Sequence, residues 1–226
     1  MVSLGMCTQF MIQANLRRLQ RRYGARVVEE FVWKPHVFPR YPAPVVVLEG
    51  GARVLKPMQF GLVPFFEKNA RPKKVLHNAR SETLAEKASF RKPFAETRCL
   101  VPMDSFLEYI WDSETSNWLA RFGPETEQVL TAAGLWSRWH GPDGAATDSF
   151  TVITREPPAF IRGTGHDRCP VFLPESAFAA WLDPGRKEPA DLSGVLAQVE
   201  PIRFAVERVE KPRRGAARNL ELDLSP

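Results

Sequence analysis

Short runs of β-branched and aromatic residues, repeatedly cut off by proline or glycine, are the feature that most constrains this fold. Between Val27 and Pro64, the run VVVLEGG, which ends at Gly51, is followed directly by ARVLKPMQF. Two such runs around a Gly-Gly pair are typical of a β-hairpin, and the turn is predicted at Gly50 and Gly51. Similar runs predict further strands at 99–110, 118–122, 129–136 and 150–156.

Three segments have the spacing or the start signals of helices. Apolar residues recur at helical intervals from Ile12 to Tyr23, and Gly24 follows as a stop signal. The other side of this predicted helix is basic, and we interpret it as a solvated face rather than a DNA contact. Helices are also predicted at 81–90 and 174–182, the latter with proline in its first turn. Many strands with few helices between them predict a mixed, mostly antiparallel α+β domain.

Composition and charge narrow the class of protein. A chain of 226 residues suits one domain or two small ones, and 44% hydrophobic content with six tryptophans is enough for a core. The net charge of +5 favours a polyanionic partner such as nucleic acid without requiring one. The sequence has neither the pattern of a signal peptide nor an apolar run of about 18 residues. We therefore expect a cytoplasmic protein, nucleoid-associated if bacterial, and no membrane partner.

The cysteines Cys7, Cys99 and Cys169 are odd in number and lack Cys-x-x-Cys spacing. That pattern argues against a disulfide framework and favours a reducing compartment. Cys99 and Cys169 are interpreted as structural. His166 lies close to Cys169 in sequence, but a tetrahedral site needs more ligands than the sequence offers there. No metal and no other cofactor is expected.

Four short stretches place polar side chains in settings that are otherwise apolar or turn-like. They are Met6-Cys7, HNARSET at 77–83, VPMDSFLEY at 101–109 and GHDRCP at 165–170. Taken alone, each has an ordinary structural explanation: a near-terminal cysteine is usually a small apolar residue, Asn78 could cap a helix, and His166 could be a structural histidine. Glu108 shares a strand face with Phe106 and Ile110, where a carboxylate is costly unless it is paired.

Taken together and in this order, the motifs of this chain resemble those of the SRAP family, the SOS response-associated peptidases, which crosslink to abasic sites in single-stranded DNA. The corresponding stretches are MCTQF at 6–10, FGLVPFF at 60–66, NARSET at 78–83, RCLVPMDSFLEY at 98–109, AGLW at 133–136 and HDRCP at 166–170. Some positions depart from the family pattern. Thr8-Gln9 stands for Gly-Arg, Phe60 and Phe66 for two tryptophans, and Tyr109 for the tryptophan after the glutamate.

The resemblance implies a single SRAP-type α+β domain over residues 6–210, with barrel-like sheets and a few flanking helices. Residues 1–5 are expected to be a leader or a start placed too far upstream, and 211–226 a flexible tail. The implied catalytic residues are Cys7 as nucleophile, Asn78 positioning it, Glu108 as general acid/base and His166 as proton shuttle at the sugar. The residues implied for DNA binding are Arg80 and Arg168 at phosphates, Phe60 and Phe66 for stacking, with core packing as the alternative for each ring, and Thr154.

A cysteine at the N-terminus has both groups that this chemistry needs. An abasic sugar opens to an aldehyde, a primary amine condenses with it to an imine, and a neighbouring thiol closes a five-membered thiazolidine ring. An α-amine with a pKa of about 7.7–8 is partly neutral at cellular pH, unlike a lysine at about 10.4. Cys7 must therefore become the first residue. We expect translation from Met6 rather than self-cleavage after Met6.

Three functions stay open at this level. The first is a monomeric covalent trap that shields abasic single-stranded DNA in the DNA-damage response. The second is a noncovalent single-stranded DNA-binding module in which Cys7 never becomes terminal. The third is a peptidase whose only substrate is its own leader. A heat-stable band on an abasic oligonucleotide separates the first two, and the intact mass of the protein tests the third.

Overall fold

Two β-sheets form the framework of the computed structural model, which describes residues 8–113 and 115–210. Within these residues the strands are β1 (Gln9–Met11), β2 (Arg26–Val27), β3 (His36–Val37), β4 (Pro42–Glu49), β5 (Ala52–Phe60), β6 (Asn78–Arg80), β7 (Arg98–Met103), β8 (Ser105–Trp111), β9 (Asn117–Pro124), β10 (Leu130–His140), β11 (Ala146–Arg155), β12 (Cys169–Pro170) and β13 (Phe204–Val209). The helices are α1 (Leu16–Tyr23), α2 (Ala88–Glu96), α3 (Ala159–Arg162), α4 (Phe178–Leu182) and α5 (Pro189–Leu196), with 3₁₀ turns at Ser81–Thr83 and Glu175–Ala177. Cys7, the predicted leader and the predicted tail lie outside the described residues.

The larger sheet closes on itself. Its strands follow the order β12-β11-β10-β7-β4-β5-β2, and a further pairing of β11 with β5 completes a ring of β11, β10, β7, β4 and β5. The pairs are antiparallel except that β11 runs parallel to β5 and β6, and β2 runs parallel to β5. The smaller sheet, in the order β13-β9-β8-β1-β3, is antiparallel throughout. The predicted α+β fold with mostly antiparallel, barrel-like sheets is confirmed.

The predicted hairpin at Gly50 and Gly51 is also confirmed. β4 and β5 pair from Glu49 opposite Ala52 as far as Pro42 opposite Gln59. The two glycines have φ values of 59° and 79°. A two-residue hairpin turn of type I′ needs positive φ at both central positions, which glycine adopts without strain. The Gly-Gly pair thereby fixes the register of two barrel strands.

The single strand predicted over 99–110 is wrong, because the chain passes from one sheet to the other at Asp104. β7 pairs with β10 and β4 in the barrel, whereas β8 pairs with β1 and β9 in the smaller sheet. The Asp104 amide donates to the Met11 carbonyl oxygen at 2.8 Å, and the Gln13 amide donates to the Asp104 carboxylate. These bonds hold the corner, and the switch carries Glu108 into the smaller sheet.

The predicted helices are present, but they begin later or are divided. The side chain of Asn15 caps α1 by accepting a hydrogen bond from the Arg18 amide, and Gly24 ends the helix in the left-handed conformation. The helices predicted at 81–90 and 174–182 each split into a 3₁₀ turn followed by an α-helix. The sequence patterns predict neither α5 nor β13. Among the described residues, none of the helices combines the length and apolar character needed to span a bilayer.

Aromatic rings fill the space between the two sheets. Phe10 of β1 packs edge-on against Phe60 of β5 with centroids 5.2 Å apart, and Phe60 stacks on Phe150 of β11 at 5.3 Å. Phe106 of β8 stacks on Phe122 of β9 at 5.0 Å. These rings are completely buried. Because large buried rings contribute several kcal/mol each, their contacts hold the smaller sheet in a fixed position on the barrel.

Candidate active site

The end of β11 brings together two of the motifs that carry predicted site residues. β6, with Asn78 and Arg80, runs parallel to β11, and Arg80 lies opposite Thr154. β12 pairs antiparallel with the same strand, and Pro170 also lies opposite Thr154. Asn78 is buried and Arg80 is exposed. The NARSET and HDRCP motifs, which are far apart in the sequence, therefore meet at one end of one strand.

Arg168 joins these two segments through its guanidinium. Its Nη atoms donate to the two carboxylate oxygens of Glu82 at 2.9 and 2.8 Å. Nη2 also donates to the Thr154 carbonyl oxygen, and Nε donates to the Thr154 hydroxyl at 3.4 Å. The hydrogen bonds from Arg168 hold the pKa of Glu82 below its ordinary value. Phosphate binding by Arg168 stays a prediction, and most donors of this buried side chain are engaged within the protein.

Two residues that the sequence assigns to DNA contact are buried instead. Thr154 is completely buried, and its oxygen atoms accept hydrogen bonds from Arg168. Phe60 is completely buried between the rings of Phe10 and Phe150. The prediction that Thr154 and Phe60 contact DNA directly is therefore wrong. Thr154 instead accepts hydrogen bonds that hold Arg168. For Phe60 the core-packing alternative applies, because its ring lies between the two sheets.

Phe66 has the exposure that stacking on a base requires. It is 50% exposed, and its neighbour Phe65 is 51% exposed. Their rings meet edge-on with centroids 5.3 Å apart. The Lys92 ammonium lies over the Phe65 ring, 4.8 Å from its centroid, and so occupies that face. Stacking by Phe66 stays a prediction. Phe65 is an exposed ring that the sequence reasoning missed, although it adjoins Phe66 directly.

Glu108 lies on the inner face of β8, as strand alternation predicts. The residue is only 6% exposed, and Phe106, two positions earlier, is buried on the same face. Burial raises the pKa of Glu108 from about 4.5 to about 8, and the negative charge of Asp167 acts in the same direction. Glu108 is therefore mostly protonated at neutral pH. A carboxyl group in this state can donate a proton and then accept one.

His166 lies in the same buried region. Its ring meets Phe122 edge-on at 5.7 Å, and Phe122 in turn stacks on Phe106. Burial lowers the pKa of His166, while the charge of Asp167 acts in the opposite direction. Its Nε2 atom is buried and has no hydrogen-bond partner within the described part of the chain. Because the charge of Asp167 reaches both His166 and Glu108, the two titratable side chains share one electrostatic environment.

Two residues with a part in this arrangement were missed by the sequence reasoning, namely Glu82 and Asp167. Both lie inside motifs that mark the site, NARSET and HDRCP. Their partners are distant in sequence, since Glu82 binds a residue 86 positions away. An ion pair between residues so far apart leaves no pattern in the local sequence. The available signal was that each acidic residue lies within two positions of a predicted site residue.

The start of β1 lies beside the strand of Glu108. Gln9 pairs with Leu107, the residue before Glu108. Gln9 is buried, and its side-chain oxygen is 2.9 Å from the His36 Nε2 atom, within hydrogen-bond distance. Cys7 precedes Gln9 by two positions in the sequence and lies outside the described residues. The pairing thus directs the first described residues toward the buried carboxyl group.

The two cysteines within the described residues have the environment of inert thiols. Cys99 is completely buried, and burial raises the pKa of its thiol far above the ordinary value. Burial also raises the pKa of Cys169 to about 11. Because the thiolate is the reactive form, neither is a good nucleophile at neutral pH. In residues 8–113 and 115–210, no group of three or more His, Cys, Asp or Glu side chains is placed to hold a metal ion.

Comparison with known proteins finds a family model and relatives that match most of the chain. The family model described as SOS response associated peptidase (SRAP) matches residues 6–212. Abasic site processing protein YoqW of Bacillus subtilis is 29% identical over 197 residues, which cover 84% of this chain and 86% of YoqW. Abasic site processing protein HMCES of Rattus norvegicus is 30% identical over 184 residues, which cover 67% of this chain and 51% of HMCES.

Two crystal structures have the same fold. A protein from Bacteroides thetaiotaomicron superposes with a TM-score of 0.77 at 20% identity, covering 90% of this chain and 92% of that protein. A protein from Bordetella bronchiseptica superposes with a TM-score of 0.76 at 24% identity, covering 91% of this chain and all 100% of that protein. At such identities the likeness concerns the fold alone.

The raised pKa of Glu108 predicts a specific dependence of stability on pH. In the unfolded chain the carboxyl ionises near its ordinary pKa of 4.5, whereas in the folded protein it stays protonated up to about 8. Over that window the folded state binds more protons, so its stability is present at low pH and is lost as pH rises toward 8. Glu108→Gln removes this loss. The variant should gain more than about 1 kcal/mol in free energy of unfolding, relative to wild type, between pH about 5 and about 8.

Urea unfolding of both DNA-free proteins across this pH range measures the difference. Glu86→Gln, at an exposed position before α2, is the matched control for removing one carboxyl group. A difference between Glu108→Gln and wild type that stays constant with pH would show that Glu108 is ionised normally in the folded protein.

Proposed function

Because the chain belongs to the SOS response associated peptidase (SRAP) family, we propose that it processes abasic sites in single-stranded DNA by forming a covalent crosslink through Cys7. Relatives such as YoqW and HMCES carry the name abasic site processing protein, which supports lesion processing as the activity. The single observation that carries the covalent step is the buried, protonated Glu108, on the strand that pairs with the start of β1 and within reach of the same Asp167 charge that acts on His166. Condensation of an amine with an aldehyde needs proton donors and acceptors of this kind.

Chain connectivity supports Cys7 as the residue that meets Glu108. Gln9 lies opposite Leu107, next to Glu108 in the sequence. Two residues of fully extended chain span at most about 7 Å, so Cys7 cannot be far from Gln9. With residues 1–6 removed, the terminal amine and the thiol would both belong to Cys7. The other two cysteines are buried, and burial raises the pKa of each thiol.

The proposed reaction joins the protein to the open form of the abasic sugar. His166 takes the proton of the hemiacetal hydroxyl and returns it to the ring oxygen, which opens the sugar to an aldehyde. The amine of Cys7 adds to the aldehyde carbon and gives a carbinolamine. Glu108 donates its proton to the carbinolamine hydroxyl, which leaves as water, and an iminium ion forms. The Glu108 carboxylate then takes the thiol proton, and the thiolate adds to the iminium carbon to close the thiazolidine ring.

This sequence of steps returns Glu108 to the protonated state in which it began. The overall change is one water released for one carbon–nitrogen and one carbon–sulfur bond formed. A pKa of about 8 keeps the proton donor populated at neutral pH, which an exposed glutamate would not do. The ring closure is intramolecular, so its effective concentration is high. Asn78, buried on β6, is proposed to hold the terminal residue in place.

Exposed basic and aromatic side chains of the chain are suited to a single strand of DNA. Arg80 is exposed on β6, two positions after Asn78. Phe66, half exposed, offers a ring on which a base next to the lesion can stack. Exposed cations follow Phe66 in the chain, namely Lys68, Arg71, Lys73 and Lys74. Phosphates attract such a basic segment irrespective of sequence, and flexible single strands reach the ring more readily than paired bases do.

The DNA-binding part of the proposal predicts a defined salt dependence. Binding of intact single-stranded DNA should weaken with salt, and duplex should bind worse. Arg80→Gln should make the slope of log K against log salt shallower by about 0.7, the share of one phosphate contact. Arg17→Gln, on the exposed basic side of α1, is the matched control and should leave the slope unchanged. Fluorescence anisotropy of a labelled oligonucleotide across a salt series provides the measurement, and equal effects of the two variants would count against the proposed surface.

The covalent part predicts a heat-stable complex whose rate depends on Glu108. Wild type should give a shifted band with an abasic oligonucleotide on a denaturing gel, without added reductant. Glu108→Gln should keep the fold and the affinity for intact single-stranded DNA but slow crosslinking by about 10²–10⁴-fold, the usual contribution of a general acid/base. Glu86→Gln is again the control, with crosslinking at the wild-type rate.

The outcomes of this assay separate the alternative functions. Binding without a heat-stable band, in wild type, would favour a noncovalent single-stranded DNA-binding module. A chain that removes its own leader but gives no band would favour a self-processing peptidase. Full crosslinking rate in a folded Glu108→Gln protein would show that Glu108 is structural.

A further inference from the structure

One ion pair joins two site-bearing segments, and the proposed mechanism gives it no role. Glu82 lies in the 3₁₀ turn that directly follows β6, and Arg168 directly precedes β12. Both carboxylate oxygens of Glu82 accept hydrogen bonds from Arg168, at 2.9 and 2.8 Å. A bidentate pair of this geometry is stronger and more directional than a single contact. The Arg168 side chain is 8% exposed and that of Glu82 is 50% exposed, so solvent reaches the pair from the Glu82 side only.

The hydrogen bonds of Arg168 fix the plane of its guanidinium. An arginine side chain has five N–H groups. Glu82 accepts from two of them, and the carbonyl and hydroxyl oxygens of Thr154 accept from two more. One N–H group, on Nη1, is left for any ligand. Arg168 can therefore offer DNA at most one hydrogen bond as long as Glu82 stays bound.

The fixed guanidinium also fixes the segment that carries His166. That segment turns at Gly165, which has a φ of 89°, and its next anchor is the pairing of β12 with β11. Between these two points, Arg168 ties it to Thr154 and to Glu82. Glu82 in turn follows the β6 strand that holds Asn78. The ion pair thus spans the gap between the two sides of the site.

We propose that Glu82 is a positioning residue, whose carboxylate holds Arg168 and thereby keeps His166 and Asp167 in place beside Glu108. This inference rests on the proposed function, because it assigns Glu82 a part in the same reaction. The alternative is that Arg168 serves only to bind a phosphate. The negative charge of Glu82 would then do nothing but weaken DNA binding. Loss of Glu82 should therefore slow the chemistry without weakening the binding.

The experiment compares Glu82→Gln with Glu86→Gln, an exposed position four residues along that loses the same charge. Three quantities are measured for each: affinity for intact single-stranded DNA, single-turnover crosslinking rate with saturating protein, and titration of the His166 ring by NMR. Glu82→Gln should crosslink at least about tenfold more slowly than Glu86→Gln, because small displacements of acid–base groups reduce rates steeply. Its affinity should stay within about twofold of that control.

The titration of His166 reports whether its segment stays in place, and it does so without depending on the crosslinking reaction. Burial lowers the pKa of His166, whose ring meets Phe122, while the charge of Asp167 raises it, and the same Asp167 charge also raises the pKa of Glu108. Release of the segment should raise the pKa of His166 toward its ordinary value in Glu82→Gln only. Glu82→Asp keeps the charge but is one methylene shorter, so it should show intermediate values of both rate and titration.

Each outcome of these measurements either supports or overturns the positioning role of Glu82. Crosslinking at the rate of Glu86→Gln with an unmoved His166 titration would overturn the positioning role. A parallel loss of affinity and rate would also overturn it and assign the ion pair to DNA binding. If Glu82→Gln does not fold, Glu82→Asp carries the same comparison, and a wild-type rate and titration there would overturn the proposal. Absence of a band in wild type would refute the proposed function, while the His166 titration would still test the position of the segment.

Discussion

The hydrogen bonding of β11 on both of its edges is the constraint on which the rest of the structure depends. Antiparallel pairing with β10 and parallel pairing with β5 close the barrel. Past that closure the same strand pairs with β6 and β12 at Thr154, and Arg168 binds the same residue. The pairing of this one strand therefore both closes the barrel and brings the segments of the site together. A change that unpaired the end of β11 would separate the Asn78 and His166 segments together.

The buried carboxyl group of Glu108 lowers the stability of the fold and at the same time supplies an acid to the site. Glu108 is held 6% exposed beside stacked rings and within reach of the charge of Asp167, and both conditions disfavour its ionised form. An apolar side chain would suit the inner face of β8 better. What the unfavourable placement provides is a protonated acid at neutral pH, together with a neutral imidazole at His166. Violations of local packing rules of this kind are typical of functional sites.

The parts of the fold that could be predicted from sequence are those with local causes. Gly50-Gly51 forces a hairpin, and alternation around Glu108 gives its inward orientation. The corner at Asp104 escapes prediction because no glycine interrupts the run from Cys99 to Ile110, and what changes at Asp104 is the pairing partner of the strand. Phe60 and Phe66 look alike in sequence, since whether a ring meets the other sheet or solvent depends on tertiary packing. The partners of Arg168 are distant in sequence, so its engagement with Glu82 could not be foreseen.

The most direct measurement is a peptide map of the crosslink formed on abasic DNA by the chain expressed from Met6. After digestion with trypsin and nuclease, mass spectrometry should find the sugar adduct on the peptide CTQFMIQANLR, residues 7–17, with the protein lacking residues 1–6. A chain beginning at Met1, with Met6→Ala and a blocked amine, should bind DNA without a covalent band. An adduct on a lysine, or equal crosslinking by the blocked and uncleaved chain, would contradict attack by the terminal amine of Cys7.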